Sequence, residues 1–478
     1  MSLKWHPAPP KDVIGEDLLE LSVKKAGELG ADYADARAQA LGLEVIRVEN
    51  GELRSYELSE TKGVGIRVLL NGRWGFASTT HLSREAVLEA VEKAIKIARA
   101  SASMAKAVEL AEVRPEERIF ESSCKLDPAD ISPEEKVGLL MDINKASLSM
   151  RGIKSARTAL AVRKDEMGFL SSEGARLGLK RTMVGIFYAS TGFHEGVVEE
   201  VSDSSSATSG WEFIRDVDWL SKAEEISKLA AETAKARGPP AGTYPVVVDG
   251  RLVGLLLHEA FGHATEGDIV VSGDSVLMGK LGTKVASELV NVVDEGVRPE
   301  GLYMPFDDEG VLKGRTVLVE GGVLKAFLTS RETAAELGLE PTGNGRSQDF
   351  SHFPIVRQTN YYMEPGDYSL EELVEDVDFG FLIRGRGAGG GQVETGMGSF
   401  TFRAGPSNVI RRGEVCELVR GVAISGYILE TLGLVEAVGK DFELRTSVFG
   451  GCGKMGQTVP VGGGGPPVRI RRMVVGGA

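Results

Sequence analysis

The 478-residue chain is poor in cysteine and histidine, and it has no surplus of positive charge. Its three cysteines, Cys124, Cys416 and Cys452, lie far apart. They exclude a disulfide framework and fit a reducing, cytoplasmic setting. Fifty-five Lys and Arg stand against 69 Asp and Glu, a formal charge of −14. A broad nucleic-acid face needs basic surplus to neutralise phosphates, and an anionic membrane surface needs the same, so neither partner is expected. No apolar run approaches the roughly 18 residues of a spanning helix. Met1 to Lys11, MSLKWHPAPPK, lacks the apolar core of a secretory signal.

Glycine divides what remains. Of the 61 glycines, 19 fall in positions 1–240 and 42 in positions 241–478. The change coincides with Gly238-Pro239-Pro240-Ala241-Gly242, a turn-and-linker sequence. Two domains are expected: an N-terminal α+β domain over residues 1–238, and a glycine-rich, mainly antiparallel, barrel-like β domain over residues 243–478.

The first half alternates helical and extended patterns. Helices are expected over Asp17–Gly30, over Ser83–Ala100 with Ser83 as N-cap, from Ser132-Pro133-Glu134-Glu135, and over Leu220–Ala236. Extended stretches fall at Glu44–Val48, Gly65–Leu70, Ala156–Val162 and Met183–Ala189. Ser202–Gly210 reads as a polar loop. The second half reads as short strands with glycine turns, including the hairpin signal Thr316–Glu320, Gly321-Gly322, Val323–Leu328.

One helix interrupts the β-rich half, Arg251–His263, with Asp249 as a possible N-cap. Its sequence RLVGLLLHEAFGH is apolar on nearly every side, which predicts burial. Burying His258, Glu259 and His263 without partners costs several kcal/mol, roughly, and a cation held by the imidazoles offsets that cost. The spacing is H-E-x-x-x-H. In a regular helix, residues five apart lie about 140° apart and cannot converge on one ion. A π-type turn, or a break before His263, is therefore required, and Gly262 permits either. The bland reading is two unrelated histidines. A catalytic metal needs a third ligand, and Cys452, in Gly450-Gly451-Cys452-Gly453-Lys454, is the candidate. Its bland reading is a spare cysteine in a tight turn.

The run His258-Glu259-Ala260-Phe261-Gly262-His263-Ala264-Thr265-Glu266-Gly267-Asp268 resembles the signature of the TldD/PmbA family, the modulators of DNA gyrase, on its TldD side. Phe306-Asp307-Asp308-Glu309-Gly310, Arg357-Gln358-Thr359-Asn360, Gly451-Cys452-Gly453-Lys454-Met455-Gly456-Gln457 and Val459-Pro460-Val461 carry the same resemblance through most of the second half. It implies a metallopeptidase in which His258, His263 and Cys452 bind the metal and Glu259 is catalytic. The PmbA (TldE) branch lacks the metal motif, so the chain resembles the active subunit. It implies too a substrate of unfolded or leader-type peptides, and assembly as a heterodimer with a PmbA/TldE-like subunit or as a homodimer. The ligand types favour one divalent zinc ion, with iron also acceptable.

Two other classes compete: a non-catalytic regulator or scaffold with a structural metal, and a cysteine hydrolase using Cys452. Glu266 and Asp268 either orient the imidazoles or are polar residues at the helix end. Gly385–Gly390 matches a dinucleotide fingerprint, but no helix follows to receive a pyrophosphate. Asp307-Asp308-Glu309-Gly310 reads as an acidic turn rather than a Ca²⁺ loop. His352 is a cleft residue or a solvated loop histidine.

Overall fold

The computed structural model describes residues 14–101 and 107–477, so Met1 to Lys11 lies outside the described residues. The first half opens with α1 (Glu16–Glu28), β1 (Tyr33–Glu49), β2 (Glu52–Leu70), β3 (Arg73–Thr79) and α2 (Arg84–Ala100). It continues through β4 (Glu117–Glu121), α3 (Pro133–Ser149), β5 (Ile153–Ser171), β6 (Arg176–His194), β7 (Val197–Ala207), α4 (Trp211–Arg215) and α5 (Trp219–Thr233). The predicted start signals operate as read. Ser83 caps α2 by accepting from the Ala86 N–H, and Ser132 caps α3 by accepting from Glu135.

The seven strands form one sheet in the order β3-β2-β1-β5-β6-β4, with β7 also on β6. All pairs are antiparallel except β4 with β6. Strand alternation separates two faces. Ala34, Ala36, Ala38, Ile46, Val64, Ile66, Val68, Leu160 and Val162 face the helices, in two apolar clusters. Asp35, Arg37, Gln39, Arg67, Asp165 and Arg181 stand on the other face. That face is also buried, because the second half covers it: Arg37 pairs with Asp308 at 3.3 Å, Arg67 with Glu309 at 2.9 Å, and Phe306 packs on Phe169, Leu177 and Leu179. Gly65 permits the close approach, since a Cβ there would lie 2.0 Å from the Phe350 carbonyl oxygen.

One sequence expectation needs correction. Ser202–Gly210 is not mainly a loop: β7 runs to Ala207, fully paired with β6. Its serines have low strand propensity, but tertiary pairing overrides it. Asp203 is moreover buried and ion-paired to Arg251 and Arg445, at 2.8 and 2.9 Å. The acidic run at 307–309 is the expected turn, and all three of its side chains are buried.

The second half begins with β8 (Gly242–Val248), inside a nine-stranded sheet where Val468–Gly477 and Phe379–Ile383 flank it on either side. A second, six-stranded sheet contains Val292–Glu295, Asn360–Met363 and Gly462–Gly465. Both are mainly antiparallel and form a half-barrel, so the overall class is α+β. The glycine hairpin is present, with Gly321 and Gly322 at φ 55° and 77° between strands Arg315–Glu320 and Val323–Leu324. Besides the expected helix, the half holds short helices at Gly267–Val271, Arg331–Leu337, Leu370–Glu375 and Ile428–Gly433. Segments of five to seven residues are too short to show helical periodicity, although Ser330 and Ser369 carry capping boxes. Among the described residues no helix is long and apolar enough to cross a membrane.

Candidate metal centre

The site helix starts as α6 (Gly250–Leu256), capped by Asp249, whose Oδ1 accepts from Leu252 at 2.9 Å. Leu252, Val253, Leu256, Leu257, Ala260 and Phe261 are buried in the core shared by the two sheets, which is why the helix is apolar on most sides. Gly254 lets it lie on the strand Gly462–Gly465: a Cβ would come within 2.7 Å of the Gly464 backbone. From Leu257 to Gly262 the helix widens into a π turn, and His263–Thr265 then tightens into a 3₁₀ turn. A π turn repeats its hydrogen bonds every five residues, so residues five apart come to one side. The His258 and His263 rings accordingly meet edge to face with centroids 5.1 Å apart.

Gly262 has ordinary right-handed angles, φ −61° and ψ −48°, and so does not supply backbone freedom. It supplies space. A Cβ would lie 2.4 Å from Gln358 Oε1, and Gln358 Nε2 donates to the His258 carbonyl at 3.0 Å. This bond satisfies a carbonyl in the altered turn. Thr265 Oγ1 donates to the Gly262 carbonyl at 2.6 Å and Ser275 Oγ to that of Ala264, also at 2.6 Å.

Cys452 opens a hairpin, Cys452–Lys454 paired with Gln457–Val459. Of its flanking glycines, Gly451 is sterically required, because a Cβ would fall 2.0 Å from the Val459 carbonyl oxygen; Gly450 and Gly453 face open space. Arg357 donates to the carbonyls of Cys452 and Gln457 and so fixes the hairpin from beneath. Cys452 Sγ stands 3.4 Å from His263 Nε2.

One ligand atom each from His258, His263 and Cys452 lies within 4.8 Å of the others, and all three side chains are buried. Tetrahedral zinc with Zn–N and Zn–S bonds near 2.0–2.3 Å separates its ligands by about 3.3–3.8 Å. The donor set therefore fits a tetrahedral ion with small side-chain adjustment and leaves a fourth position. The electrostatics favour the ligating thiolate of Cys452 and, with no ion bound, a protonated His263, whose Nε2 proton an ion would have to displace. Burial works against the Cys452 thiolate, but His258 and His263 outweigh it and bring the thiol down to about 5. Burial also opposes charge on His263, yet Glu266 and Cys452 raise it to about 10. Glu266, despite complete burial, is held down to about 2 by His263 and Lys454.

Glu266 Oε2 accepts from His263 Nδ1 at 3.0 Å, leaving Nε2 to face the cysteine. Asp268 does not reach an imidazole; it binds Lys454. Glu259 is the most exposed acidic side chain of the motif, 36% against 23% for Asp268 and none for Glu266, and its Oε2 lies 3.9 Å from His263 Nε2. His352 pairs with Asp349 at 2.8 Å and does not join the cluster. Sequence reasoning gave no individual role to Gln358, Arg357 or Lys454. For Lys454 a signal existed: it lies two residues after Cys452 on a strand, hence on the same face.

A buried cluster of two histidines and one cysteine, with an accessible carboxylate beside it, could hold a metal ion. The chain matches three family models in order: PmbA/TldA metallopeptidase domain 1 over residues 34–98, the central domain over 126–237 and the C-terminal domain over 241–477. It is 38% identical to a metalloprotease of Methanothermobacter thermautotrophicus over 98% of this chain and 99% of that one. It is 31% identical to a zinc metalloprotease TldD homologue of Saccharolobus solfataricus, over 95% and 99% respectively. The crystal structure of TldE from Thermococcus kodakarensis superposes with a TM-score of 0.76 at 21% identity, covering 96% of this chain and all of that one, and so shares the fold. The chain belongs to the TldD/PmbA family of metallopeptidases.

Proposed function

We propose that this protein is a zinc-dependent peptidase in which His258, His263 and Cys452 hold the ion and Glu259 is the general base. The observation that carries this reading is the π turn, which brings two histidines five residues apart to one side and against a thiolate from a hairpin 189 residues away. Bound zinc supplies a Lewis acid that polarises the scissile carbonyl and lowers the pKa of a water. Glu259, adjacent to His258 in sequence and exposed, takes the water proton on a carboxylate oxygen and delivers it to the leaving amine. Glu266 keeps the proton of His263 on Nδ1. The thiolate leaves the centre one positive charge lower than three imidazoles would, which makes a milder electrophile.

The substrate in this reading is an unfolded or leader-type peptide bound in extended form. The strand Gly390–Glu394 supports this: it is the outer strand of the nine-stranded sheet, largely exposed, and packs beside the π turn. An edge of that kind binds peptide backbone with little demand on side chains. The protein works in the cytoplasm, paired with a PmbA/TldE-like subunit or with a second copy of itself. A second reading, a cysteine hydrolase, draws on the 3.4 Å contact of Cys452 Sγ with His263 Nε2. Metal analysis of the purified protein, with peptide cleavage measured with and without chelator, separates the two. Stoichiometric zinc and chelator-sensitive cleavage support the peptidase; metal-free protein with cleavage blocked only by alkylation rejects it.

A further inference from the structure

The hairpin that carries Cys452 and the turn that carries His263 belong to distant parts of the chain, and one lysine joins them. Lys454 is buried, with 7% of its side chain exposed. An ammonium has three protons to donate, and here each has a partner. Lys454 Nζ lies 2.8 Å from Glu266 Oε2, 2.7 and 2.8 Å from the two Asp268 oxygens, and 2.9 Å from the Val356 carbonyl oxygen.

The geometry closes a ring. Cys452 and Lys454 are two apart on a strand, so they project to the same face. His263 and Glu266 are three apart across a 3₁₀ turn, where such residues eclipse one another. The strand pair thus meets the turn pair residue for residue: Cys452 against His263 at 3.4 Å and Lys454 against Glu266 at 2.8 Å. The ring is completed by Glu266 on His263 Nδ1 at 3.0 Å. A one-residue slip of the hairpin would turn both Cys452 and Lys454 away together.

We propose that Lys454 is a positioning residue: it locks the register of the cysteine hairpin against the histidine turn, through Glu266 and Asp268, so that thiolate and imidazole are set before a metal arrives. This rests on the ligand assignment above. Lys454 touches neither substrate nor ion. It holds Glu266 in place for His263 Nδ1, and it holds Cys452 at a fixed distance from His263 Nε2. Asp268, which reaches no imidazole, acts through the same ammonium.

The test titrates Co²⁺ alone into the full-length, metal-free protein against a competing chelator, following thiolate-to-cobalt charge-transfer absorption. Lys454→Met keeps the apolar stem and removes the charge; Lys454→Met combined with Asp268→Asn removes a buried opposite charge with it and protects folding. Both variants are expected to bind Co²⁺ about 10–100-fold more weakly, with a shifted or weakened thiolate band, as for loss of other groups that orient ligands. The double variant is expected to melt, metal-free, close to the parent. Wild-type affinity and band in either folded variant, or a lowered melting point with no change in affinity, overturns the proposal. Absence of a thiolate band in the unmodified protein instead overturns the ligand assignment, and the proposal with it.

Discussion

Gly262→Ala isolates the device that makes the H-E-x-x-x-H spacing workable. The new Cβ would sit 2.4 Å from Gln358 Oε1 and 2.6 Å from its Cδ and Nε2. Gln358 is fully buried, so its amide cannot swing into solvent. Overpacking of this kind costs about 1–3 kcal/mol. Displacing the amide also breaks its bond to the His258 carbonyl, worth about 1 kcal/mol. Alanine in place of glycine in a helical conformation recovers about 1 kcal/mol. The sum is a destabilisation of about 1–3 kcal/mol. Gln358→Ala empties the space, and in that background only the helical gain remains, so the same substitution becomes neutral or stabilising by up to about 1 kcal/mol. Denaturant midpoints of the four proteins in the double-mutant cycle measure both values. Equal destabilisation in the two backgrounds would show that glycine is needed for the backbone of the π turn and not for Gln358.

Two further outcomes follow from the buried charges. Arg67→Met strands the carboxylates of Asp35, 2.5 Å away on the neighbouring strand, and of Glu309, 2.9 Å away in the second half; a loss of about 3–5 kcal/mol is expected on chemical denaturation, and a loss below about 1 kcal/mol would contradict a structural role for this charge cluster. In protein stripped of metal by chelation, Cys452 stays a thiolate down to about pH 5. Its folded-state value is depressed, so its contribution to stability is complete above the ordinary thiol value of 9.0 and is lost as pH falls toward 5. Thiolate absorbance followed from pH 9 to pH 4 checks this, and a midpoint above 8 would refute it.

Local signals in the sequence carried far. The caps Ser83, Ser132 and Asp249, the Gly321-Gly322 hairpin and the demand for a π turn or a break between His258 and His263 all reappear in the structure. What escaped was long-range. Alternation in β1, β2, β5 and β6 marks one apolar and one charged face, and a charged face ordinarily meets water. Here Asp35, Arg37, Arg67, Asp165 and Arg181 are buried because matching charges and backbone groups arrive from residues such as Tyr303, Asp308 and Glu309. No local pattern announces a partner some 240 residues away. The same holds at the site. Gly262 reads as a flexible position, but its reason is a glutamine 96 residues downstream. Asp268 sits beside the motif yet serves the hairpin lysine. Ser202–Ser206 looks like solvated loop until the edge of β6 is there to pair with it.

In the proposed mechanism Glu259 moves protons at a metal held by His258, His263 and Cys452. The most direct test is Glu259→Gln, assayed together for bound metal and for cleavage of an unstructured peptide. Full metal content is expected, with a cleavage rate lower by about 10²–10⁴-fold. Cleavage at the wild-type rate with metal in place would contradict it.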